Sequence, residues 1–369
     1  MFVLIISYFK NKALFISQLF LLFCSVLFLF FFLVEFSLTD ISFLNSDELV
    51  YTYERDVLFD YDNKSSRLIW YFLNDFIAYY SGGYTWENKI LPLPFLLVLN
   101  YCLFVSFPNV KGVLYALPLT PYLIFISVMD LRDVLIILLC LSALSSYVYN
   151  RFVIFFFACF LLMFLRPFAI IMIVLPVFFL LLVSRDINFH KRFLYLLFIC
   201  AFSLIVTYLF FDKIQSYSYR MTFFFDTGGS ESLQGETISF DPLSIFKYFV
   251  KFIFAPIPFS LFDRAIFNGG HEVFGITDDL LRGVGQTVFY SLFLYLLSNI
   301  ASFKRVFKSG LFSDREIKLL AAIILFSIIW VFIYTFFSLG DAHTRVKVVH
   351  MLCVSICCIF VYNSKKELK

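Results

Sequence analysis

The chain has 369 residues, of which 62% are hydrophobic, 22% aromatic and only 15% charged, and its mean hydropathy is +0.90. This composition indicates an integral membrane protein, and the net charge of +3 is too small to suggest a nucleic-acid partner. All eight cysteines lie inside apolar runs, so we interpret them as small buried hydrophobic residues rather than as disulfides or metal ligands.

The first apolar run covers residues 13–37 and follows Lys10 and Lys12. It is longer than the core of a signal peptide and lacks a small-residue cleavage site, so we expect a signal anchor with a cytoplasmic amino terminus. Nine further runs are long enough to cross a bilayer when short spans are allowed. The ten candidate spans are 13–37, 89–107, 112–129, 133–149, 152–165, 168–184, 193–211, 286–302, 319–338 and 346–362.

Basic residues mark the turns that this order of spans assigns to the cytoplasm. They are Lys111, Arg151, Arg185, Lys191, Arg192, Lys304, Arg305, Lys308, Arg315, Lys318, Lys365, Lys366 and Lys369. The positive-inside rule is satisfied at every cytoplasmic turn, which puts both termini in the cytoplasm. We therefore expect an all-α, polytopic membrane protein with about ten transmembrane helices, forming a single domain over residues 1–369.

Two long loops, residues 38–88 and 212–285, are assigned to the outer face. In the first, apolar residues recur at helical spacing between Ser66 and Gly82, which predicts an amphipathic helix lying on the membrane surface. In the second, the stretch "IFKYFVKFIFAPIPFSLF" is apolar enough to span. Two lysines would then enter the bilayer and two prolines would break the helix, so we interpret this stretch as interfacial or re-entrant.

The turn "MFLRPF" interrupts the continuous apolar segment 152–184 at Arg166. Arg166 at the centre of one helix would cost at least ~2.5 kcal/mol, so two short spans are favoured. Arg166 then lies either in a polar cavity that opens at the outer leaflet or in a simple hairpin turn. In "SVMDLRDVL", one aspartate can neutralise Arg132, and Asp133 can cap the next helix. We favour a structural ion pair over catalysis there.

The stretch "FLNSDELVYTYERDVLFD" places several acids directly after the first span, and Asp47 and Glu48 are its strongest candidates. One carboxylate held near the membrane can act as the general base that deprotonates a sugar hydroxyl. The alternative is that both acids are simply solvated in a loop. Adjacent residues point apart in helices and strands alike, so the spacing predicts no paired-carboxylate geometry.

The orientation of the chain in the membrane explains the basic residues in the cytoplasmic turns, but not those elsewhere. Arg220, Lys247, Lys251 and Arg264 share one outer loop and can clamp a diphosphate; the alternative is binding of anionic lipid headgroups. His343 and Arg345 precede the last span in "SLGDAHTRVKVVHM".

We favour Arg345 as a phosphate partner over His343 as a metal ligand, because the sequence contains no HxxxH or HExxH pair. We also assign Arg132, His271 and His343 to the substrate-binding set, and we expect neither a metal nor a cofactor.

In order along the chain, "LPLTPYLIFISVMDLRD", "MFLRPF", "TGGS" followed by "FAPIPFSLF", and "GDAHTRVKVVHM" resemble motifs of bacterial O-antigen and capsule polymerases. The first span followed by an acidic loop with "DE", a surface helix and many short spans is similar to the GT-C class of membrane glycosyltransferases. The resemblance implies reaction at the outer face of the bacterial inner membrane. A polyprenyl-diphosphate carrier would donate the sugar, and a second lipid-linked repeat unit would accept it.

The resemblance also implies site residues and partners. Outer-face arginines of such polymerases are often followed by glycine about ten residues later, and Arg264 with Gly275 has this spacing. Asp47 or Glu48 would be the base or would orient the acceptor. The diphosphate would be held by Arg166, Arg220, Arg264 and Arg345. Expected partners are the lipid-linked oligosaccharide, membrane lipid and a chain-length regulator.

Two alternatives remain open at this point. A second long loop with its own arginine and glycine is not clear in the sequence, which leaves room for a GT-C transferase that adds a single sugar. A flippase or transporter would use the same cationic residues without chemistry. A transporter built on repeats should show related halves and charge deep in its spans, and the sequence shows neither.

Overall fold

The computed structural model of the chain describes residues 11–39, 68–83, 86–183, 242–270, 275–307, 310–337 and 344–366, and the single positions 197 and 201. These residues are helical or lie in turns, and no strand occurs among them. The helices are α1 (Lys12–Leu38), α2 (Leu68–Ser81), α3 (Trp86–Lys89), α4 (Leu93–Ser106), α5 (Pro121–Ile126), α6 (Asp133–Val148), α7 (Phe152–Met163), α8 (Pro167–Val183), α9 (Pro242–Phe254), α10 (Pro258–Phe267), α11 (Gly275–Ser298), α12 (Ile300–Val306), α13 (Asp314–Phe337) and α14 (Thr344–Lys366).

Among the described residues, five helical segments are long and apolar enough to cross a membrane. They are Lys12–Leu38, Trp86–Ser106, Gly275–Ser298, Asp314–Thr335 and Lys347–Lys366. Three shorter apolar helices, Asp133–Val148, Phe152–Met163 and Phe168–Leu181, coincide with predicted short spans. The expectation of an all-α, polytopic membrane protein is confirmed at this level.

Two predicted spans differ from the structure, and a third lies outside the described residues. The segment 112–129 is a 3-10 turn at Val113–Tyr115 followed by the six-residue helix α5, because prolines in "LPLTP" lack the N–H that a continuous helix needs. The span predicted at 286–302 begins at Gly275 instead. The span predicted at 193–211 lies outside the described residues apart from positions 197 and 201.

Local signals explain where several helices begin and end. The Asn11 side chain accepts hydrogen bonds from the amides of Ala13 and Leu14 and so caps α1. Helix α2 ends before Gly82, whose φ of +78° is favourable only for glycine. Helices α9 and α10 are separated at residues 255–257, as the two prolines predict.

The last helix, α14, lies at the centre of the bundle. It packs against α11, α12 and α13, and most of its side chains are buried. Helices α6 and α7 form a hairpin, and α8 packs across α6 and α13. Helix α1 instead leaves many large apolar side chains exposed, as expected for a helix that faces lipid.

Contacts between loops and helix ends define two ends of the bundle. At the end that we call the basic end, Asn109 donates from its backbone and side chain to Glu316, and the Asn363 side chain donates to the carbonyl of Lys111. The opposite end, which we call the polar end, contains Glu35, Asp130, Asp133, Arg166 and Arg264. The described basic residues that the sequence analysis assigns to the cytoplasm are Lys111, Arg151, Lys304, Arg305, Arg315, Lys318, Lys365 and Lys366. Which membrane face each end meets stays a prediction.

Candidate functional site

The structure describes only part of the predicted site. Five predicted residues lie outside the described ranges: Asp47, Glu48, Arg220, His271 and His343. Arg345 is in the first turn of α14, and only its backbone is described. The remaining predicted residues, Arg132, Arg166, Lys247, Lys251 and Arg264, can be placed with their side chains.

Arg264 on α10 forms a two-point ion pair with Asp279 on α11. Its Nε donates to Asp279 Oδ2 at 2.6 Å, and its Nη2 donates to Oδ1. Asp279 is fully buried, whereas 37% of the Arg264 side chain is exposed. The buried carboxylate therefore fixes the guanidinium plane, and the exposed part of the guanidinium can reach an anion outside the bundle.

A second buried ion pair lies beside the first. Arg282 Nε is 2.6 Å from Asp278 Oδ2 and 3.1 Å from the hydroxyl of Tyr122, and the Tyr122 hydroxyl is 3.2 Å from Asp278 Oδ1. Asp278 and Arg282 are one turn apart on α11, and Tyr122 belongs to α5. The sequence analysis assigned both charges to the loop 212–285, but they lie in the first two turns of a helix long enough to span.

Glu35 connects α1 to this group of charges. It lies near the end of α1, is buried, and accepts hydrogen bonds from the amides of Ile276 and, at 2.8 Å, Thr277. These amides are in the first turn of α11, where N–H groups have no partner within the helix. A carboxylate there also interacts favourably with the helix dipole.

Arg166 forms the centre of a second cluster at the polar end. Its Nη1 is 3.3 Å from Asp133 Oδ1, and its guanidinium lies over the rings of Tyr334, at 5.1 Å, and Trp330, at 5.8 Å. Helix α7 ends at Met163 and α8 begins at Pro167, so Arg166 lies in a hairpin turn. Its side chain is 17% exposed.

The two predicted polar turns contact each other. Arg132 Nη1 donates to the carbonyl of Leu165 at 2.6 Å. Asp133 was expected to cap α6; this is wrong, because Arg132 occupies the cap position and Asp133 lies in the first turn. Asp133 instead faces Arg166, a contact that becomes possible only when α6 and α8 pack together.

Asp130 is the buried acceptor that anchors the surface helix α2. Trp70 Nε1 and Asn74 Nδ2 donate to Asp130 Oδ1 at 3.0 and 2.9 Å. Three residues of the predicted apolar stripe, Ile69, Leu73 and Ile77, pack against the hydrophobic core, whereas Phe72 and Phe76 are largely exposed. Helix α2 is therefore held to the bundle by polar and apolar contacts together, and its exposed aromatic side chains face outward, as expected for a helix on a membrane surface.

The predicted clamp of four basic residues stays a prediction, because Arg220 lies outside the described residues. Lys247 is exposed and Lys251 is half-buried on α9, which packs against α13. Arg264 lies on α10, which packs along α11. Among the described residues, no contact joins either lysine to Arg264.

Glu35, Tyr122, Asp278 and Asp279 are not among the residues predicted from the sequence. Two signals were present: Glu35 is the single acid within the first apolar run, and "TDDLLR" places an acid and an arginine four residues apart at a helix start. Arg166 and Arg264 were both selected by sequence, and both lie at the polar end.

Comparison with known proteins adds no assignment: no family model, no curated protein and no solved structure matches the chain significantly.

Proposed function

We propose that this protein is a membrane glycosyltransferase that polymerises surface polysaccharide, joining polyprenyl-diphosphate-linked repeat units at the outer face of the bacterial inner membrane. The observation that carries the proposal is Arg264. A partly exposed guanidinium, held by the fully buried Asp279 at the end of a multi-pass helical bundle, suits an anion at membrane depth. A lipid-linked diphosphate is such an anion.

In the proposed reaction, an acceptor hydroxyl attacks the anomeric carbon of the donor sugar. The new C–O bond forms as the bond from that carbon to the diphosphate breaks, and the polyprenyl diphosphate leaves with the bonding electrons. Arg264 stabilises the charge that develops on the leaving group, and because Asp279 already orients it, little reorganisation is needed. Arg345 is assigned to the same diphosphate, and Asp47 or Glu48 is assigned to take the hydroxyl proton.

Arg166 is proposed to contact the second lipid-linked substrate. It is charged, partly exposed and held from two sides by Asp133 and Tyr334. An arginine fixed in this way loses less conformational freedom on binding a phosphate than a free side chain does. Arg132, bonded to the carbonyl of Leu165, belongs to the same turn region.

A transporter of the same lipid-linked saccharide is the second candidate. It is favoured by Asp278, Asp279 and Arg282, which are charged residues within a helix long enough to span. These charges lie in the first two turns of α11 and not at its centre, so we rank the enzyme first.

The test is a gel of surface polysaccharide from cells that lack the protein, complemented with wild type, Arg264→Ala, Arg264→Lys or, as the control, Arg315→Ala. Arg315 is an exposed arginine at the basic end. We expect the long ladder to disappear in the deletion strain and with Arg264→Ala, while a single repeat unit stays attached.

Other results would point elsewhere. An incomplete repeat unit would indicate a single-sugar transferase, and complete lipid-linked repeats trapped inside the cell would indicate a transporter. A normal ladder in the deletion strain would reject all three functions. Immunoblotting of each variant separates loss of activity from loss of protein.

A further inference from the structure

Glu35 makes two contacts that only a carboxylate side chain of the same length can reproduce fully. Both of its oxygens accept hydrogen bonds, from the amides of Ile276 and Thr277, although α1 and α11 are 241 residues apart in sequence at this contact. The side chain is buried, so water competes little for these bonds.

Gly275 makes room for this carboxylate. It has a φ of +77°, and a Cβ added to it would overlap the Glu35 carboxylate. Gly269 provides a comparison, because it has a similar φ of +72° but no atom within 4 Å of an added Cβ. The two glycines therefore separate backbone strain from the loss of space for Glu35.

The amides bonded to Glu35 are directly followed by the paired aspartates. Ile276 and Thr277 precede Asp278 and Asp279, and Asp279 holds the guanidinium of Arg264. Because a helix is stiff over a single turn, fixing these amides fixes the position of Asp279, about 4.5 Å further along the helix axis.

We propose that Glu35 is a positioning residue for Arg264, which it orients through the first turn of α11 and Asp279. Glu35 itself contacts neither the diphosphate nor the sugar. The importance of this role for activity rests on the proposed function, whereas the orientation of Arg264 is a structural claim that can be tested without it.

The structural test is labelling of the purified, detergent-solubilised protein with phenylglyoxal, which modifies accessible guanidinium groups. Mass spectrometry gives the rate at Arg264 relative to the rate at Arg315, so general loosening of the protein cancels. We expect this ratio to rise several-fold in Glu35→Ala and by a smaller factor in Glu35→Gln, because glutamine retains one acceptor oxygen.

Gly275→Ala should raise the ratio more than Gly269→Ala does, since only the first displaces the carboxylate. If Glu35→Ala does not fold, Glu35→Gln and the two glycine variants still decide the question. An unchanged Arg264 ratio in folded Glu35→Gln, or equal effects of the two glycine variants, would overturn the proposal.

The functional arm uses the polysaccharide ladder of the complemented deletion strain. We expect Glu35→Gln to shorten the ladder and Glu35→Ala to shorten it further. If the Arg264 ratio rises as expected but Arg264→Ala leaves the ladder intact, the positioning role stands and the proposed function fails. If Arg264→Ala removes the ladder and Glu35→Gln changes neither measurement, the proposed function stands and the positioning role fails.

Discussion

The ion pair between Arg264 and Asp279 is asymmetric, and this asymmetry predicts the stability of its variants. Asp279 is fully buried, whereas 37% of the Arg264 side chain is exposed. Arg264→Ala would leave a buried carboxylate without its partner, which costs about 3–5 kcal/mol in the free energy of unfolding. Asp279→Ala leaves an arginine that water can still solvate, so we expect a loss of only about 1–2 kcal/mol.

The double variant tests whether the two residues depend on each other. In the Asp279→Ala background, removing Arg264 leaves no buried carboxylate without a partner. The double variant should therefore be about as stable as Asp279→Ala alone. Its loss should then be about 3–5 kcal/mol less than the sum of the two single losses, and this difference is the coupling energy. Reversible unfolding in mixed micelles, followed by circular dichroism, measures all four proteins under one set of conditions.

Asp263→Ala serves as the control, because Asp263 is the exposed neighbour of Arg264 on the same helix. It should change the free energy of unfolding by less than about 0.5 kcal/mol. Equal losses in the two single variants, or a double variant whose loss equals their sum, would refute the pairing. Arg264 would then not be a cation held in place by Asp279.

Three further predictions concern other parts of the bundle. Arg166→Ala should lower the free energy of unfolding by about 2 kcal/mol, less than Arg264→Ala, because Asp133 is 8% exposed rather than fully buried and the pair is a single contact at 3.3 Å; Arg166→Lys should recover part of this loss in the same micelle assay. Gly283→Ala should cost about 1–3 kcal/mol because its Cβ would lie 2.7 Å from the Phe262 ring, and Phe262→Leu should suppress the defect; no suppression would exclude this contact. For orientation, a membrane-impermeant maleimide should label Asp263→Cys in intact spheroplasts but label Lys111→Cys only after permeabilisation, and the reverse pattern would invert the topology.

Features that depend on nearby residues were predictable from the sequence. The length of apolar runs identified most of the described helices, because crossing a bilayer requires about 20 apolar residues whatever their partners are. Glycine at position 82 and the prolines after residue 254 stop helices through their own backbone geometry, so the ends of α2 and α9 were predicted. The hairpin at Arg166 follows from the same local rule.

The identity of charge partners required the tertiary structure. The Arg132 guanidinium donates to the carbonyl of Leu165, 33 residues away, a contact that its neighbours in sequence do not predict. Glu35 reads as one acid in an apolar run, and its partners follow 241 residues later. Sequence spacing specifies which residues share a helix face, whereas ion pairs between helices depend on how the helices pack and on which carboxylates that packing removes from water. The sequence by itself therefore determined the membrane class and most helix boundaries, and only the packing of α1, α10 and α11 decided that Arg264 is held by a buried aspartate.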